Sequence, residues 1–400
     1  MQQKRILILT NRVPYPLNDG GNLAVQAMID IYRNSGWEVY LLSMLTTRHP
    51  VPPNVLSTLY SDLYKFETVS VNNDVKAIST IANYLFSRRP NHLARFSNHT
   101  FDKKLRDILG SFKPDVVQME SVFLAGYLDT VEEHHKCKTI LRLHNIEYQI
   151  WERLAEEMKN PLKKLYLSNL AKRIKKFEIA SWKRFDLLLP ITKDDASLVR
   201  FLYHQANIAV APFGIDTANI KRRENERWVG YHIGAMDWQP NVEAIKWFIM
   251  HVWKDVRKIS PQFKFYFAGR NMPAFFDNYQ PEGVYCAGEV DDANEFIADK
   301  KILIVPLRSG GGIRVKIMEA MAAGKLVIST GTGIQGIEAV NGVHYYMANS
   351  SRQFAEMIQK ALSDREASEQ VCNNAIALIY EKYRNEAVAT AVTKAVNDIL

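Results

Sequence analysis

The sequence predicts an α/β protein of two domains, each built on a parallel β-sheet that is covered by helices on both faces. The chain has 400 residues, which is more than one ordinary hydrophobic core accommodates. Short apolar runs alternate with helix-like segments along its whole length. The runs are almost continuously apolar, as expected for strands that are buried on both faces of a parallel sheet.

The predicted strands are short runs rich in Val, Ile, Leu and Phe. In the first half of the chain they are Ile6–Thr10, Val39–Ser43, Val116–Met119, Thr139–His144, Leu187–Ile191 and Ile208–Ala211. In the second half they are Tyr231–Gly234, Phe263–Gly269, Val284–Ala287, Ile302–Pro306 and Leu326–Thr330. Helices are predicted between them at Asn22–Asn34, Val122–Glu133, Val242–Lys258, Asp292–Asp299, Arg314–Ala323 and Ser351–Leu362. These elements suffice for two sheets.

The boundary between the two domains is predicted after Pro212, which gives domains of residues 1–212 and 213–400. A predicted strand ends there, Pro and Gly interrupt the pattern, and a polar segment follows at 221–226. In open α/β domains the ligand binds at the carboxyl ends of the strands. We therefore expect a ligand in a cleft between the two domains.

Composition and charge narrow the class of protein. Hydrophobic residues make up 47% of the chain and charged residues 24%, which is typical of a globular protein. No apolar stretch reaches the roughly 20 residues of a membrane-spanning helix, and the N-terminus lacks the pattern of a secretory leader. The three cysteines lack the spacing of metal ligands. We expect a cytoplasmic, reduced protein without structural zinc, and its net charge of +8 favours a phosphate-bearing ligand, an anionic membrane surface or a nucleic acid.

The most informative segment is 308–319, Arg-Ser-Gly-Gly-Gly-Ile-Arg-Val-Lys-Ile-Met-Glu. Three glycines join a predicted strand to a predicted helix, and residues without a Cβ let the backbone approach a phosphate closely. A helix N-terminus offers unpaired N–H groups and the positive end of the helix dipole. Arg314 and Lys316 add full positive charges, whereas Glu319 would repel phosphate and is suited to accept hydrogen bonds from ribose hydroxyls. The segment predicts a site for a nucleotide diphosphate that carries a sugar.

Residues 151–184 are predicted as one long basic helix, with Pro161 as a point where it breaks or kinks. Ten Lys or Arg residues outnumber four Glu residues in this segment. Apolar residues recur with helical spacing at Leu167, Leu170, Ile174, Phe177 and Trp182. We expect this apolar stripe to pack on its own domain. The sharper alternative for the cationic face is contact with anionic lipid headgroups or a lipid-diphosphate acceptor, and nucleic acid is not expected because no binding motif accompanies the basic residues.

Several motifs occur in the order and spacing of one enzyme family. They are Pro14-Tyr15-Pro16 to Gly20-Gly21, His144-Asn145-Ile146-Glu147, Pro212-Phe213-Gly214-Ile215-Asp216, and Glu319-Ala320-Met321-Ala322-Ala323-Gly324-Lys325-Leu326-Val327. Over essentially its whole length, the chain resembles the family 4 nucleotide-sugar glycosyltransferases, of the glycosyl transferases group 1. The resemblance implies the GT-B fold, an α/β architecture of two Rossmann-like domains with a cleft between them.

The resemblance also implies an activity. A sugar would be transferred from a nucleotide-diphosphate donor to an acceptor hydroxyl, with retention at the anomeric carbon and without a metal ion or other cofactor. The N-terminal domain would bind the acceptor, which is a glycan, a lipid-linked saccharide or a protein, and the C-terminal domain would bind the nucleotide sugar. The last helix, about 380–400, would pack back on the N-terminal domain. We expect a role in bacterial glycan or glycoconjugate assembly, in the cytoplasm or peripherally at the inner face of the membrane.

The same resemblance assigns site residues. His144 would contact the donor sugar or phosphate, with Asn145 and Glu147 orienting it or binding the acceptor. Arg314 and Lys316 would stabilise the departing nucleotide diphosphate. Donor-binding positions are expected at Gly20, Gly21, Arg270, Val290, Gly310, Gly311, Gly312, Ile313 and Glu319. The alternative for Glu147 is a first-turn carboxylate that interacts with the dipole of its own helix.

Two departures from the family pattern make segment 308–319 more important for donor binding here than in the usual pattern. The first Glu of the family's Glu-x7-Glu pattern, which contacts the donor sugar, falls on Gly311, so the identity of the sugar stays open. Many members carry Gly-Arg and then Lys-Gly for the diphosphate at the position where this chain has residues 234–241, which contain no Lys or Arg. The diphosphate charge is therefore expected to be met by Arg314 and Lys316, aided by Arg270.

Other functions stay open from the sequence alone. A sugar-nucleotide epimerase would share the architecture and convert the donor without an acceptor. A non-catalytic nucleotide-sugar-binding subunit would bind the donor without transfer. The absence of the family's first Glu, at Gly311, keeps this alternative open. A nicotinamide-dependent oxidoreductase is not expected, because the turn after the first strand lacks Gly-x-Gly-x-x-Gly. The nucleotide, the acceptor and the oligomeric state stay open as well.

Overall fold

The structure, a computed structural model, describes residues 3–17, 20–72, 95–218, 220, 226–310 and 312–400. The chain divides into two compact units. Unit 1 comprises Met1–Pro212 together with Ala389–Leu400, and unit 2 comprises Phe213–Val388. In the described part of the chain each unit contains a six-stranded parallel sheet with connecting helices. The predicted α/β class is therefore confirmed.

The sheet of unit 1 is built from strands that are almost entirely buried, except for the partly exposed edge strand Lys65–Val71. They are β1 (Arg5–Thr10), β2 (Glu38–Thr46), β3 (Lys65–Val71), β4 (Val116–Met119), β5 (Lys138–Leu143) and β6 (Leu187–Pro190). The order across the sheet is β3-β2-β1-β4-β5-β6, and every neighbouring pair is parallel. The segments that follow β1, β4 and β5 therefore start from the same edge of the sheet.

Helices connect the strands of unit 1. They are α1 (Gly20–Asn34), α2 (Pro53–Leu56), α3 (His99–Phe112), α4 (Leu128–His134), α5 (Glu147–Glu157), α6 (Pro161–Trp182) and α7 (Lys193–Leu202). The helix predicted at Val122–Glu133 begins as a 3-10 helix, Val122–Tyr127, and continues as α4. Strand and helix side chains share one core, in which Leu7, Phe101 and Trp182 are fully buried.

The basic segment 151–184 divides into parts of α5 and α6, and the helix is broken next to Pro161, the residue at which a break or kink was predicted. The new helix begins at Pro161, whose missing N–H suits the first helical position. Asn160 caps it by accepting two backbone N–H groups of the first turn, both at 3.1 Å. The apolar stripe packs on its own unit as predicted, since Ile174 and Trp182 lie in the core of unit 1. None of the helices in the described part of the chain has both the length and the apolar character needed to cross a bilayer.

A buried carboxylate joins α5 and α6. Glu178 of α6 is 0% exposed and accepts the backbone N–H groups of Glu147 and Tyr148 at the start of α5, each at 3.1 Å. The residue preceding α5, Ile146, provides no capping side chain. Burial raises the pKa of Glu178 to about 8. Glu178 therefore satisfies N–H groups that the helix itself cannot satisfy.

Unit 2 repeats the alternation of strands and helices. Its strands are β7 (Arg227–Ile233), β8 (Phe265–Ala268), β9 (Val284–Cys286), β10 (Lys300–Val305), β11 (Leu326–Ser329) and β12 (Tyr346–Met347). The order is β12-β11-β10-β7-β8-β9, with all neighbours parallel. Its core is rich in aromatic rings, and the Phe248 centroid lies 4.7 Å from Phe265 and 5.7 Å from Phe354.

Helices connect the strands of unit 2, and one of them directly follows the Gly-rich segment. They are α8 (Gln239–Trp247), α9 (Trp253–Ile259), α10 (Ala274–Asn278), α11 (Ala293–Ala298), α12 (Val315–Ala322), α13 (Gly331–Ile334), α14 (Ser351–Ser363), α15 (Arg365–Lys382) and α16 (Asn385–Asn397). A π-helical turn, Phe248–Val252, separates α8 from α9, where one continuous helix was predicted. The residues of α16 from Ala389 onward belong to unit 1.

Two strands of the described chain were not predicted, and one predicted strand is wrong. β3 was not predicted because it is an edge strand, in which charged residues such as Lys65 and Glu67 alternate with apolar ones. β12 was missed because it is only two residues long. Ile208–Ala211 forms a single parallel bridge to Leu188 and no strand.

We expect Glu178→Ala to lower the free energy of unfolding of unit 1 by about 1–3 kcal/mol, because it leaves two backbone N–H groups without an acceptor. Urea denaturation followed by tryptophan fluorescence measures this loss. The matched control is Glu156→Ala on the exposed side of α5, which should change stability by no more than about 0.5 kcal/mol. Equal stability of the two variants would contradict the capping role of Glu178.

Candidate functional site

The Gly-rich segment of unit 2 connects the end of β10 to the start of α12. Gly310 and Gly312 have φ angles of +104° and +83°, in the region that favours glycine. A Cβ on Gly310 would also lie 2.8 Å from the Trp238 ring. These two glycines are therefore required by the turn and its packing, and Gly311 lies outside the described residues. Ile313 is half-buried just before α12.

Arg314 is the residue that precedes the first turn of α12. It is only 6% exposed, and its guanidinium carbon lies 5.1 Å from the centroid of the Trp238 ring. Its Nη1 donates a hydrogen bond to the backbone carbonyl of Gly312. Burial lowers the pKa of Arg314 to about 10. The cation is thus fixed beside the helix N-terminus, where the helix dipole also favours an anion.

Lys316 points from α12 towards the sheet rather than towards solvent. Its Nζ lies 3.2 Å from His232 Nε2, 3.1 Å from the carbonyl oxygen of Ile233 and 3.2 Å from Asn241 Oδ1. All three groups accept hydrogen bonds without supplying a negative charge. Burial, and secondly the charge of Arg314, lower the pKa of Lys316 to about 7. Arg314 and Lys316 are therefore brought together, as the sequence predicted, but Lys316 is held more deeply than an ordinary surface lysine.

Residues 234–241, which contain no Lys or Arg, contact the predicted cations. Trp238 packs against Arg314, and Asn241 bonds Lys316. Asp237 accepts a hydrogen bond from Arg270 Nη2 at 2.9 Å. Arg270 thus has a carboxylate partner at an exposed position, and its contact with a diphosphate stays a prediction.

The other predicted donor-binding residues of unit 2 lie in separate places. Glu319 is exposed on α12, one turn beyond Lys316. Val290 is half-buried in the loop between β9 and α11, which a backbone hydrogen bond of 2.8 Å from Gly269 N to Gly288 O ties to the end of β8. The roles of Glu319 at a ribose and of Val290 at a base stay predictions.

Unit 1 contains a cavity of about 280 Å³ at the carboxyl ends of its central strands. It is lined by Thr10, Asn11, Arg12, Gly21, Asn22, Val25, Thr46, His49, Phe96, Glu120, Ser121, Phe123, His144, Asn145 and Glu147. The cavity thus brings together Gly21 and His144, two residues that the sequence selected independently. Gly20 is exposed at the first position of α1.

His144 is held by a carboxylate that sequence reasoning missed. Glu120 directly follows β4, its side chain is 1% exposed, and its Oε2 lies 2.8 Å from His144 Nε2. The same Oε2 lies 3.6 Å from Nε of the buried Arg142, and Gln118 donates to Oε1. Asn145 and Glu147 were expected to orient His144, whereas Glu120 makes this contact. The sequence contains one signal for Glu120, which is its position as a carboxylate immediately after the buried strand β4. This strand lies next to β5 in the sheet.

Glu147 carries the second unusual carboxyl group of the cavity. Burial raises its pKa to about 7, so it is partly protonated at neutral pH and can donate as well as accept a hydrogen bond. The N-terminus of its helix is capped by Glu178, not by Glu147 itself. Its carboxyl group instead lines the cavity with His144.

We expect Glu120→Ala to lower the free energy of unfolding of unit 1 by about 3–5 kcal/mol, because it leaves the charge of Arg142 buried without its partner. His144→Ala, which leaves the pair of Glu120 and Arg142 in place, should cost about 1 kcal/mol. Urea midpoints of both variants give the comparison. A loss of unfolding free energy that is as small for Glu120→Ala as for His144→Ala would contradict the buried ion pair of Glu120 and Arg142.

Comparisons with known proteins bear on both units. Residues 228–364 match the family model described as glycosyl transferases group 1. A protein of Klebsiella pneumoniae, described as an uncharacterized 44.6 kDa protein in the cps region, is 23% identical over 406 residues, 98% of this chain and 99% of that protein. The structure is similar to sucrose-phosphate synthase from Thermosynechococcus elongatus, with a TM-score of 0.65 and 13% identity over 99% of both chains. It is also similar to Anabaena HepE in complex with UDP, with a TM-score of 0.63 and 14% identity over 98% of this chain and 100% of that one.

The sheet topology and the comparisons agree on the fold. Two six-stranded parallel sheets, matched along nearly the whole chain by the solved structures, establish the GT-B fold that was predicted. The matched family region lies in unit 2 and contains the Gly-rich segment with Arg314 and Lys316. Fold and family match together support a glycosyltransferase with the GT-B fold.

Proposed function

We propose that this chain is a retaining, family 4 glycosyltransferase that moves a sugar from a nucleotide-diphosphate donor to an acceptor hydroxyl. The observation that carries the proposal is the pair of cations at the N-terminus of α12, where Arg314 is buried and Lys316 is half-buried against β7 and α8. Two neighbouring positive charges at a helix N-terminus favour the binding of an anion. The similar Anabaena structure contains UDP, a nucleoside diphosphate.

The donor would bind to unit 2. The diphosphate would meet the N–H groups at the start of α12 together with both cations, Arg314 contacting two oxygens and Lys316 acting as a point charge. Glu319, one turn further along α12, would accept hydrogen bonds from the ribose. The loop that contains Val290 would contact the base through backbone groups.

Catalysis would be mainly electrostatic. When the bond between the sugar and the diphosphate breaks, negative charge grows on the diphosphate oxygen, and cations already fixed in a buried site stabilise this charge without further reorganisation. We assign no side chain as a nucleophile. The same two cations take the role that a metal ion has in other transferases, so we propose a reaction without a metal or other cofactor.

The acceptor would bind to unit 1. The cavity of about 280 Å³ presents His144, Glu147 and amide side chains, which are suited to the hydroxyl groups of a saccharide. The acceptor classes that we propose are a glycan, a lipid-linked saccharide and a protein. The relative from a cps region supports a role in bacterial glycan assembly.

Contact with the cytoplasmic face of a membrane would involve the start of α6. Leu162 and Leu165 are 77% and 64% exposed, and the exposed Lys163 and Lys164 lie between them. Apolar side chains among cations are typical of helices that lie on anionic lipid surfaces. This is the part of the predicted basic helix that the core of unit 1 does not use.

A screen of nucleotide sugars by thermal shift tests the donor class first, since a ligand that binds only the native state raises the melting temperature. The donor found would then be incubated with saccharide acceptors, and NMR of the product would show whether the anomeric configuration is retained. Conversion of the donor without an acceptor would indicate an epimerase, and binding without any transfer would indicate a non-catalytic subunit. The comparisons favour neither of these alternatives.

We expect Arg314→Ala and Lys316→Ala each to reduce donor binding or turnover at least about tenfold, because each removes a charge-assisted contact to the diphosphate. Steady-state kinetics with the identified donor measures both effects. Lys246→Ala is a charge-matched control on the exposed side of α8 and should behave like the wild type. Kinetics close to the wild type in both site variants would exclude the diphosphate assignment.

We expect Glu319→Ala to weaken the binding of a nucleoside diphosphate roughly tenfold, through loss of hydrogen bonds from the ribose to a carboxylate. Calorimetry should show no such loss for inorganic pyrophosphate, which has no ribose. An equal effect on both ligands would mean that Glu319 acts on the phosphates or on the fold, and not on the sugar of the nucleotide.

A further inference from the structure

His232 is a buried titratable residue to which the proposed chemistry assigns no role. It lies on β7 and is 0% exposed. Its Nδ1 lies 2.8 Å from the carbonyl oxygen of Ile304, which can only accept a hydrogen bond. Nδ1 therefore carries the proton, and in the neutral ring Nε2 has a free lone pair. That lone pair faces Lys316 Nζ at 3.2 Å.

Asn241 is oriented towards Lys316 in the same way. Its Nδ2 donates to the carbonyl oxygen of Ala235 at 2.8 Å, which leaves Oδ1 pointing at Lys316 Nζ, 3.2 Å away. Gly234 makes room for this arrangement, since a Cβ there would lie 2.9 Å from Lys316 Nζ and 2.7 Å from Asn241 Nδ2. One strand, β7, and one helix, α8, therefore place three hydrogen-bond acceptors around the amino group of Lys316.

We infer that His232 and Asn241 are positioning residues that hold Lys316 ready to take up a proton when the diphosphate of the donor binds. This inference rests on the proposed function. It goes beyond that function because it assigns roles to two residues that do not contact the donor and couples donor binding to pH.

The charges around Lys316 support this coupling. His232 faces it from β7 and is kept neutral, because burial and the nearby Lys316 hold its pKa well below the usual value. Arg314 faces it from the start of its own helix and repels a second positive charge. Asn241 from α8 is neutral. Within the described residues no carboxylate hydrogen-bonds or ion-pairs with Lys316, so an incoming diphosphate supplies the negative charge that favours the ammonium form.

The pH dependence of donor binding follows from the difference in proton binding by Lys316 between the free and the donor-bound protein. With a pKa of about 7, Lys316 is mostly protonated below pH 7 and mostly neutral above it in the free protein. A bound diphosphate raises that pKa, so proton uptake on binding increases from near zero well below pH 7 towards one proton well above it. The association constant should then fall as the pH rises above 7, by up to about tenfold per pH unit.

Calorimetric titration with UDP, GDP and ADP in buffers of different ionisation enthalpy tests this directly. At pH 7.5, where the free nucleotide is already deprotonated, the nucleotide that binds should take up a measurable fraction of a proton per site. Binding without proton uptake would overturn this inference and leave the proposed function intact. Failure of all three nucleotides to bind would overturn the proposed function and this inference with it.

Two variants separate positioning from a merely structural role. Asn241→Asp places a carboxylate against Lys316, keeps the amine charged in the free protein and should reduce proton uptake at pH 7.5 to near zero. His232→Phe removes the Nε2 acceptor and should move the midpoint of the pH dependence to lower pH, whereas a general loss of structure would weaken binding equally at every pH. Glu243→Gln, two residues beyond Asn241 on the exposed side of α8, is the control. Proton uptake in Asn241→Asp equal to that of the wild type would contradict the role of Asn241 in positioning Lys316.

Discussion

The proposed donor site depends on one constraint, which is that Arg314 and Lys316 place two cationic side chains at the start of α12, the first buried and the second half-buried. Arg314 lies against the face of Trp238, and Lys316 is surrounded by three neutral acceptors. Much of unit 2 near the end of β10 follows from this constraint. The left-handed glycines let the chain turn against Trp238, and Gly234 leaves space for the amino group of Lys316. The positive charges of Arg314 and Lys316 repel each other, and the diphosphate of the proposed donor would offset this repulsion.

Unit 1 presents the opposite electrostatic arrangement at the corresponding edge of its sheet. There Glu120 and Glu178 are buried and Glu147 is half-buried, and each of these carboxyl groups has a different environment. Glu120 is paired with Arg142 and His144, Glu178 accepts two helix N–H groups, and Glu147 lines the cavity with a raised pKa. Carboxyl groups and an imidazole suit hydroxyl groups better than phosphates. The two edges thus differ in the chemistry that they can bind, which agrees with a division of labour between acceptor and donor.

The sequence predicted those features that depend on local pattern. Buried strands such as β1 and β10 were found because both of their faces are covered and their residues are continuously apolar. The edge strands β3 and β12 were missed because an edge strand needs neither a long nor an evenly apolar run. Arg314 and Lys316 were found because glycines, cations and a helix start lie within a few residues of one another.

Contacts between distant parts of the chain could not be predicted in this way. His232 and Asn241 are 84 and 75 residues away from Lys316 in sequence, and nothing in their local surroundings marks them. Residues 234–241 were correctly described as lacking cations, but that description overlooked neutral side chains that position cations supplied by another segment. The same reason explains Glu120, whose partner His144 comes from the next strand of the sheet.

The central claim is that the diphosphate of the donor lies at the start of α12 between Arg314 and Lys316. The most direct test is a crystal structure of the protein with a bound nucleoside diphosphate. The account predicts phosphate oxygens within about 3 Å of the Arg314 guanidinium and of Lys316 Nζ. A nucleotide bound with its phosphates away from both side chains would contradict it.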